Sequence, residues 1–475
     1  MISSSVNDNA MNTRLYRMVV KFSDDIGKKK NENTNFSITP RVDNDMFILH
    51  SRLRPLFPSV NHTKIAKLVS RAKASDADYC PPNFFNYYTA DFTTKTEALQ
   101  FREELNKHQA INSSYIEINP VWPPSAKNSN PLIRHQNYLE PAPVGIDAVY
   151  AWQFKGGDGD GSVRLIDIEQ GWIADHEDVP INTLPGTGLN HSLGQDHGTA
   201  VMGIISMQDN NVGGKGITSK AKGYVVSQWR PDGYFNVADA LMTSILQLSA
   251  GDILLIQAQA LDFNSGQIGP VEILDAQFHL IRLATALGII VIEPAGNGNN
   301  QRGNDLDLLK NPEGDFILNL WDIHFRDSGA IMVAASQRSL PYQKTNYSNY
   351  GSRVDCFACG EDLMTAGLYP SSSGDAKNRY TGKFGGTSGA SAIIAGAALA
   401  VQSISEANLG YRLSPQQMRR VLSHELYSTS SANGHATDKT GRMPDLKKII
   451  TDYLGISHQS KYFLHQKNRT AFEVS

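Results

Sequence analysis

Cysteine is scarce in this chain of 475 residues: Cys80, Cys356 and Cys359 are all it has. Three cannot make a disulfide framework, nor a four-thiolate zinc site. Cys356-Phe-Ala-Cys359 has the spacing of a redox pair but lies in an alternating, strand-like stretch, where residues three apart are separated by about 10 Å. That exceeds a disulfide's reach, and buried free thiols are expected instead. Charge of one sign is lacking as well. Lys+Arg 44 against Asp+Glu 47 leaves −3, which argues against a nucleic-acid partner. The run Lys28-Lys29-Lys30 sits among polar residues and reads as a solvated loop. No stretch approaches the ~20 apolar residues of a membrane helix. The start, Met1-Ile-Ser-Ser-Ser-Val-Asn-Asp, lacks the basic-then-apolar pattern of a classical signal peptide. A soluble chain with no membrane partner is the expectation.

What is present describes an ordinary globular protein, 40% hydrophobic and 19% charged, and long enough for more than one domain. After a polar start (1–12, expected disordered), residues 13–121 carry strand candidates at Tyr16–Phe22, Asn86–Phe92 and Ser114–Ile118, with a helix over Thr94–Asn106. That is the pattern of a small α+β unit. A Pro/Ser/Asn-rich linker follows at 122–140. From 141 to 455 the pattern changes. Apolar strands are predicted at Val163–Ile168, Gly223–Val226, Asp252–Gln257, Ile289–Glu293 and Ile331–Ala335, separated by helices such as Val237–Leu248 and Val271–Leu287. Strands apolar throughout and alternating with helices predict an α/β domain, a parallel sheet covered on both faces. Residues 456–475 form a polar tail.

Three segments carry candidate chemistry. Val163-Arg-Leu-Ile-Asp167 puts a carboxylate towards the C-terminal end of a buried strand, where α/β sheets form clefts; alone, Asp167 could equally be a cap. Asp196-His197-Gly198-Thr199-Ala200 sets a histidine before small residues that let a helix approach another backbone closely. Gly385-Gly-Thr-Ser388-Gly-Ala-Ser391 sets a serine at the mouth of an Ala-rich helix. The positive end-field there suits a nucleophile that generates an oxyanion, although a plain N-cap serine would look the same.

Taken in order, Asp, His and Ser match the subtilisin arrangement. The stretch from about Gly145 to Ile450 resembles the subtilisin-like serine proteases, with His197-Gly-Thr199 and Gly386-Thr-Ser388-Gly-Ala-Ser391 like that family's signatures. Pro294-Ala-Gly-Asn297 is similar to its oxyanion segment. The resemblance implies a serine endopeptidase acting on protein or peptide substrates. Ser388 would be the nucleophile, His197 the general base, Asp167 its orienting acid and Asn297 the oxyanion donor. It also implies that residues 13–121 form an inhibitory pro-domain, the enzyme's own partner, released by cleavage within about Pro123–Glu140.

Departures from the family pattern are informative. Its acid is usually followed by Thr or Ser and then Gly, whereas Ile168 and Glu169 follow Asp167; a proline expected after Ser391 is Ala392. By alignment, the substrate-binding wall is Gln257-Ala258-Gln259, opposite Gly296, with Gln259 replacing a glycine. Asp178 and Asn210 fall where the family places calcium ligands, though a tight Asn/Asp/Gly turn explains them equally well. No cofactor is expected for the chemistry, only a structural calcium. A peptide-binding pseudoenzyme is the competing reading, favoured by Gln259 crowding the cleft. Localisation stays open, because the resemblance points to export and the missing leader does not.

Overall fold

In Tyr16–Phe22 both faces are apolar: Met18, Val20 and Phe22 fall on one side and Val19 on the other. A strand of that kind must be covered twice, and the computed structural model does so. It describes residues 16–24, 52–118, 133–261, 266–299, 302–367 and 376–457. The expected disordered start and most of the polar tail lie outside the described residues. The N-terminal unit contains β1 (Tyr16–Phe22), β2 (Arg54–Pro55), α1 (His62–Ser75), β3 (Tyr87–Phe92), α2 (Lys95–Leu105) and β4 (Ile111–Ile118). Its antiparallel sheet has the order β2-β3-β1-β4. One sheet face packs with Ala98, Phe101 and Leu105 of α2 into a small separate core. Val19, Tyr87 and Tyr115 on the other face merge with the main core of the chain. Thr94 caps α2 by accepting from the Glu97 N–H.

The larger unit is built on a seven-stranded parallel sheet. Its strands are β5 (Arg164–Glu169), β6 (Asn182–Thr183), β7 (Lys222–Ser227), β8 (Ile253–Ile256), β11 (Ile290–Pro294), β12 (Ile331–Ser336) and β13 (Cys356–Cys359), in the order β13-β12-β11-β8-β5-β7-β6. Two hairpins accompany it: β9 (Gln259–Leu261) with β10 (Ile268–Pro270), and β14 (Leu363–Ala366) with β15 (Tyr380–Phe384). Helices α3 (Gln195–Ser206), α4 (Val237–Gln247), α5 (Asp275–Ala286) and α6 (Gly386–Leu409) flank the sheet. The fold class is therefore the α/β architecture expected, and the five anticipated strands fall within a residue or so of their observed limits. Gly386–Leu409 is long and apolar enough to cross a membrane by length and composition, a run that a simple count of consecutive apolar residues passes over. Here it is buried from Thr387 to Ser405 as the central helix of the core.

Cys356 and Cys359 are free and buried on β13, as the strand spacing predicts, whereas Cys80 is exposed. Residues 133–139, placed in the linker by composition, form two 3-10 turns. Gln136, Tyr138 and Leu139 are buried, and the Tyr138 hydroxyl donates to the Met364 carbonyl at 3.0 Å. That stretch is bonded into the larger unit.

Beneath the segment that leads to Asn297 lies a buried charge network. Arg353, 3% exposed, sits 3.0 Å from Glu272 and 2.7 Å from Asp355. Burial and the neighbouring Glu272 hold the Glu293 carboxyl well above the usual range. Arg353 is thus the cation paired with the fully buried Glu272. Arg353→Ala should cost about 3–5 kcal/mol by leaving that carboxyl uncompensated, read as a lower urea midpoint with unchanged slope.

Candidate active site

The strand order turns at β5, with β7 on one side and β8 on the other, and crevices in such sheets open beyond the strand ends at that point. The crevice here is lined by Glu169, Gln170, Gly194, His197, Gln228, Phe235, Gln257, Ala258, Gln259, Pro294, Asn297, Thr387 and Ser388. His197, Ser388, Asn297 and the Gln257–Gln259 wall are thereby brought to one place. Asp167 does not line it.

The carboxylate on His197 belongs to Glu169. Its Oε1 lies 2.6 Å from His197 Nδ1, and its Oε2 accepts from the Gln170 N–H at 3.2 Å. Residues two apart on a strand share a face but stand about 6–7 Å apart along it. Asp167 is therefore one pleat deeper, where β5 pairs with Val225 and Leu255. It is 0% exposed and neither carboxyl oxygen has a hydrogen-bond partner. Burial, followed by the charge of Glu169, raises its pKa well above the carboxylate range, which favours its neutral form. The placement of Asp167 beside the histidine is corrected accordingly. The missed signal was the glycine: Glu169-Gln170-Gly171 has the acid-x-Gly spacing that Asp167-Ile168-Glu169 lacks.

His197 is carried near the start of α3. A Cβ on Gly198 would collide with the Gly171 carbonyl oxygen, so the glycine after the histidine is what lets this helix settle on the chain leaving β5. Thr199 Oγ1 ties the same junction, accepting from Ile173 N–H at 2.8 Å and donating to Gln195 O at 2.6 Å. Phe384 packs edge-on against the imidazole, centroids 5.4 Å apart. Ser388 is 8% exposed in the first turn of α6. Its N–H, one of the orphan donors of a helix start, has no hydrogen-bond partner among the described residues, and its Oγ is not hydrogen-bonded to His197.

Asn297 stands across the crevice. Its Oδ1 accepts from the N–H and the hydroxyl of Thr387 at 2.9 and 3.1 Å, which leaves Nδ2 as the donor available to a ligand. Gly296 has φ +96°, and a Cβ there would lie 2.9 Å from Asn349 Nδ2; only glycine suits both demands. Gln257 is an anchor more than a wall: Nε2 donates to Ser388 O and to Ser391 Oγ, each at 3.1 Å. Gln228 was not anticipated. It donates to Ile168 O at 3.2 Å and Gln257 O at 2.8 Å, pinning the exits of β5 and β8 together. Ala392 is fully buried within α6, and the helix runs on without the proline.

The calcium expectation concerns Asp178 and Asn210. Burial pushes the Asp178 carboxyl up to about 6. One oxygen accepts from Gly214 N–H at 3.3 Å and the other is buried without a partner. Asn210 Oδ1 is already used by the Val212 N–H at 3.0 Å. Among the described residues no three His, Cys, Asp or Glu side chains cluster for a metal. One free carboxylate oxygen falls well short of the six to eight oxygens calcium takes, so these side chains do not by themselves fit the ion.

Fold and crevice together describe an α/β protein with a glutamate, a histidine and a serine lining one crevice. A family profile described as "Subtilase family" matches residues 107–446, and the chain belongs to that family. It is 22% identical over 319 residues to the "Major intracellular serine protease" of Bacillus subtilis (strain 168), covering 61% of this chain and 86% of that protein. It also overlays on a protease structure from Pseudoalteromonas arctica PAMC 21717. The TM-score is 0.46 at 18% identity, over 66% of this chain and 96% of the other.

Proposed function

We propose that this subtilase is a serine endopeptidase working through Ser388, His197 and Glu169, with Glu169 in the place usually held by aspartate. The observation that carries the reading is the 2.6 Å contact of Glu169 with His197 Nδ1 in a crevice that Ser388 shares. Glu169 would hold the imidazole as its Nδ1–H tautomer, leaving Nε2 to accept the Ser388 proton as Oγ attacks the scissile carbonyl. Oγ–carbon bond formation places negative charge on the carbonyl oxygen, which Asn297 Nδ2 and the Ser388 N–H would receive. His197 then protonates the leaving amine, and water repeats the sequence to release the acyl group.

The N-terminal unit is proposed to be the inhibitor of this site. Tyr87 Oη donates to Asp275 at 2.7 Å, Tyr115 Oη to Gln277 at 3.1 Å, and Asn236 Nδ2 to Leu56 O at 3.0 Å. These bonds seat the unit on α4 and α5. Its last strand, β4, runs beside β9, whose first residue lines the crevice. The expected cleavage range overlaps residues 119–132, which are outside the described residues. A cut before Gln136 would leave the bonded segment of the larger unit intact.

The test is a fluorophosphonate probe on the purified chain, with peptide mapping of the adduct. A phosphonyl group on Ser388 is expected. A folded chain freed of its N-terminal unit that takes no label would overturn the reading in favour of a peptide-binding protein. Asn297→Ala should lower kcat by about 100- to 1000-fold with little change in KM, measured on a peptide p-nitroanilide.

A further inference from the structure

We infer that Gln259 is a positioning residue for the oxyanion donor Asn297. The inference rests on the endopeptidase reading above and deepens it. Gln259 opens β9 and lines the crevice, but its side chain is folded back. Oε1 accepts the main-chain N–H of Asn297 at 2.9 Å. That N–H belongs to the residue whose side chain must meet developing charge, so its position sets where Nδ2 lies.

The segment Ala295-Gly296-Asn297 is otherwise held from elsewhere. Asn349 is 0% exposed; its Nδ2 donates to Ala295 O at 2.8 Å, and its N–H to Gly296 O at 3.0 Å. Thr387 holds only the Asn297 amide oxygen. Gly298 N–H donates to Tyr347 O at 2.7 Å just beyond it; without the Gln259 carbonyl, the Gly296–Asn297 peptide is held only through Gly296 O, and its N–H has no partner among the described residues. A backbone donor left unpaired there would turn to water or to substrate and carry Nδ2 with it. With glycine at position 259, nothing in the side chain could supply this acceptor. The crowding of the crevice by Gln259 is, on this view, the cost of a fixed donor.

The test separates acceptor from bulk. Gln259→Met keeps length and removes the acceptor; Gln259→Glu keeps an acceptor oxygen. A peptide p-nitroanilide with alanine donating the scissile carbonyl avoids side-chain clashes with either variant. A misplaced donor should lower kcat about tenfold in Gln259→Met with KM nearly unchanged, and Gln259→Glu should recover most of the loss. Unchanged kcat in Gln259→Met, or equal losses in both variants, would overturn the inference while wild-type labelling at Ser388 still upheld the protease. A folded, unlabelled wild type would instead remove the reading on which it stands.

Discussion

Glu169→Gln should lower kcat/KM by about 10,000-fold, the scale of replacing a triad carboxylate by its amide, whereas Asp167→Asn should change it only a few-fold. The amide at 169 would keep the shape of the contact now made at 2.6 Å. Its NH2 facing Nδ1 would favour the wrong tautomer, and in either orientation it would withhold the charge that supports the imidazolium. Burial and Glu169 raise the Asp167 pKa and neither of its oxygens is hydrogen-bonded, so asparagine, neutral and of the same size, stands in for a carboxyl whose neutral form is favoured. Were Asp167 the working acid, the two results would exchange places. Both variants should be assayed as chains of equal mass, so that altered N-terminal processing is not counted as altered chemistry. Asp167→Asn should also leave the acid limb of the pH–rate profile in place, since no ionisation of Asp167 enters it.

The pair also shows where sequence is legible and where it is not. The parallel sheet was readable because β5, β7, β8, β11 and β12 are buried on both faces and flanked by helices of clear period. His197 and Ser388 were readable because Gly198 and Gly389 record close approaches: the first to the Gly171 carbonyl, the second to Leu363. The acid was not, because residue type favoured Asp167, and period 2 puts Asp167 and Glu169 on the same face. In the sequence only the glycine two residues after Glu169 separates them; in space it is depth along the strand, set by where α3 lands. The two hairpins escaped notice because their strands are short, and α1 because only Ile65, Leu68 and Ala72 of its 14 residues are buried. Gln259 was read as crowding the crevice because a sequence gives the volume of a side chain but not its rotamer. Its bond to the Asn297 N–H depends on β9 turning back towards β11, a tertiary outcome with no local signature.

Ser388→Ala should remove about a million-fold in kcat, and the N-terminal unit should stay attached. Its nucleophile, base and acid act as one device, so removing a second member should add almost nothing. The double variant Ser388→Ala with Glu169→Gln is therefore expected to equal Ser388→Ala alone, although Glu169→Gln by itself is severe. Independent contributions would multiply and push the double variant below detection. The residual activity of both should still respond to Asn297→Ala, because oxyanion stabilisation does not need the serine hydroxyl. Mass spectrometry of the same samples reads self-cleavage. An intact Ser388→Ala chain beside a shortened wild type assigns the cut to Ser388 itself. Identical shortening in both would place the cut with another protease and leave the N-terminal unit as a binding domain whose removal this enzyme does not perform.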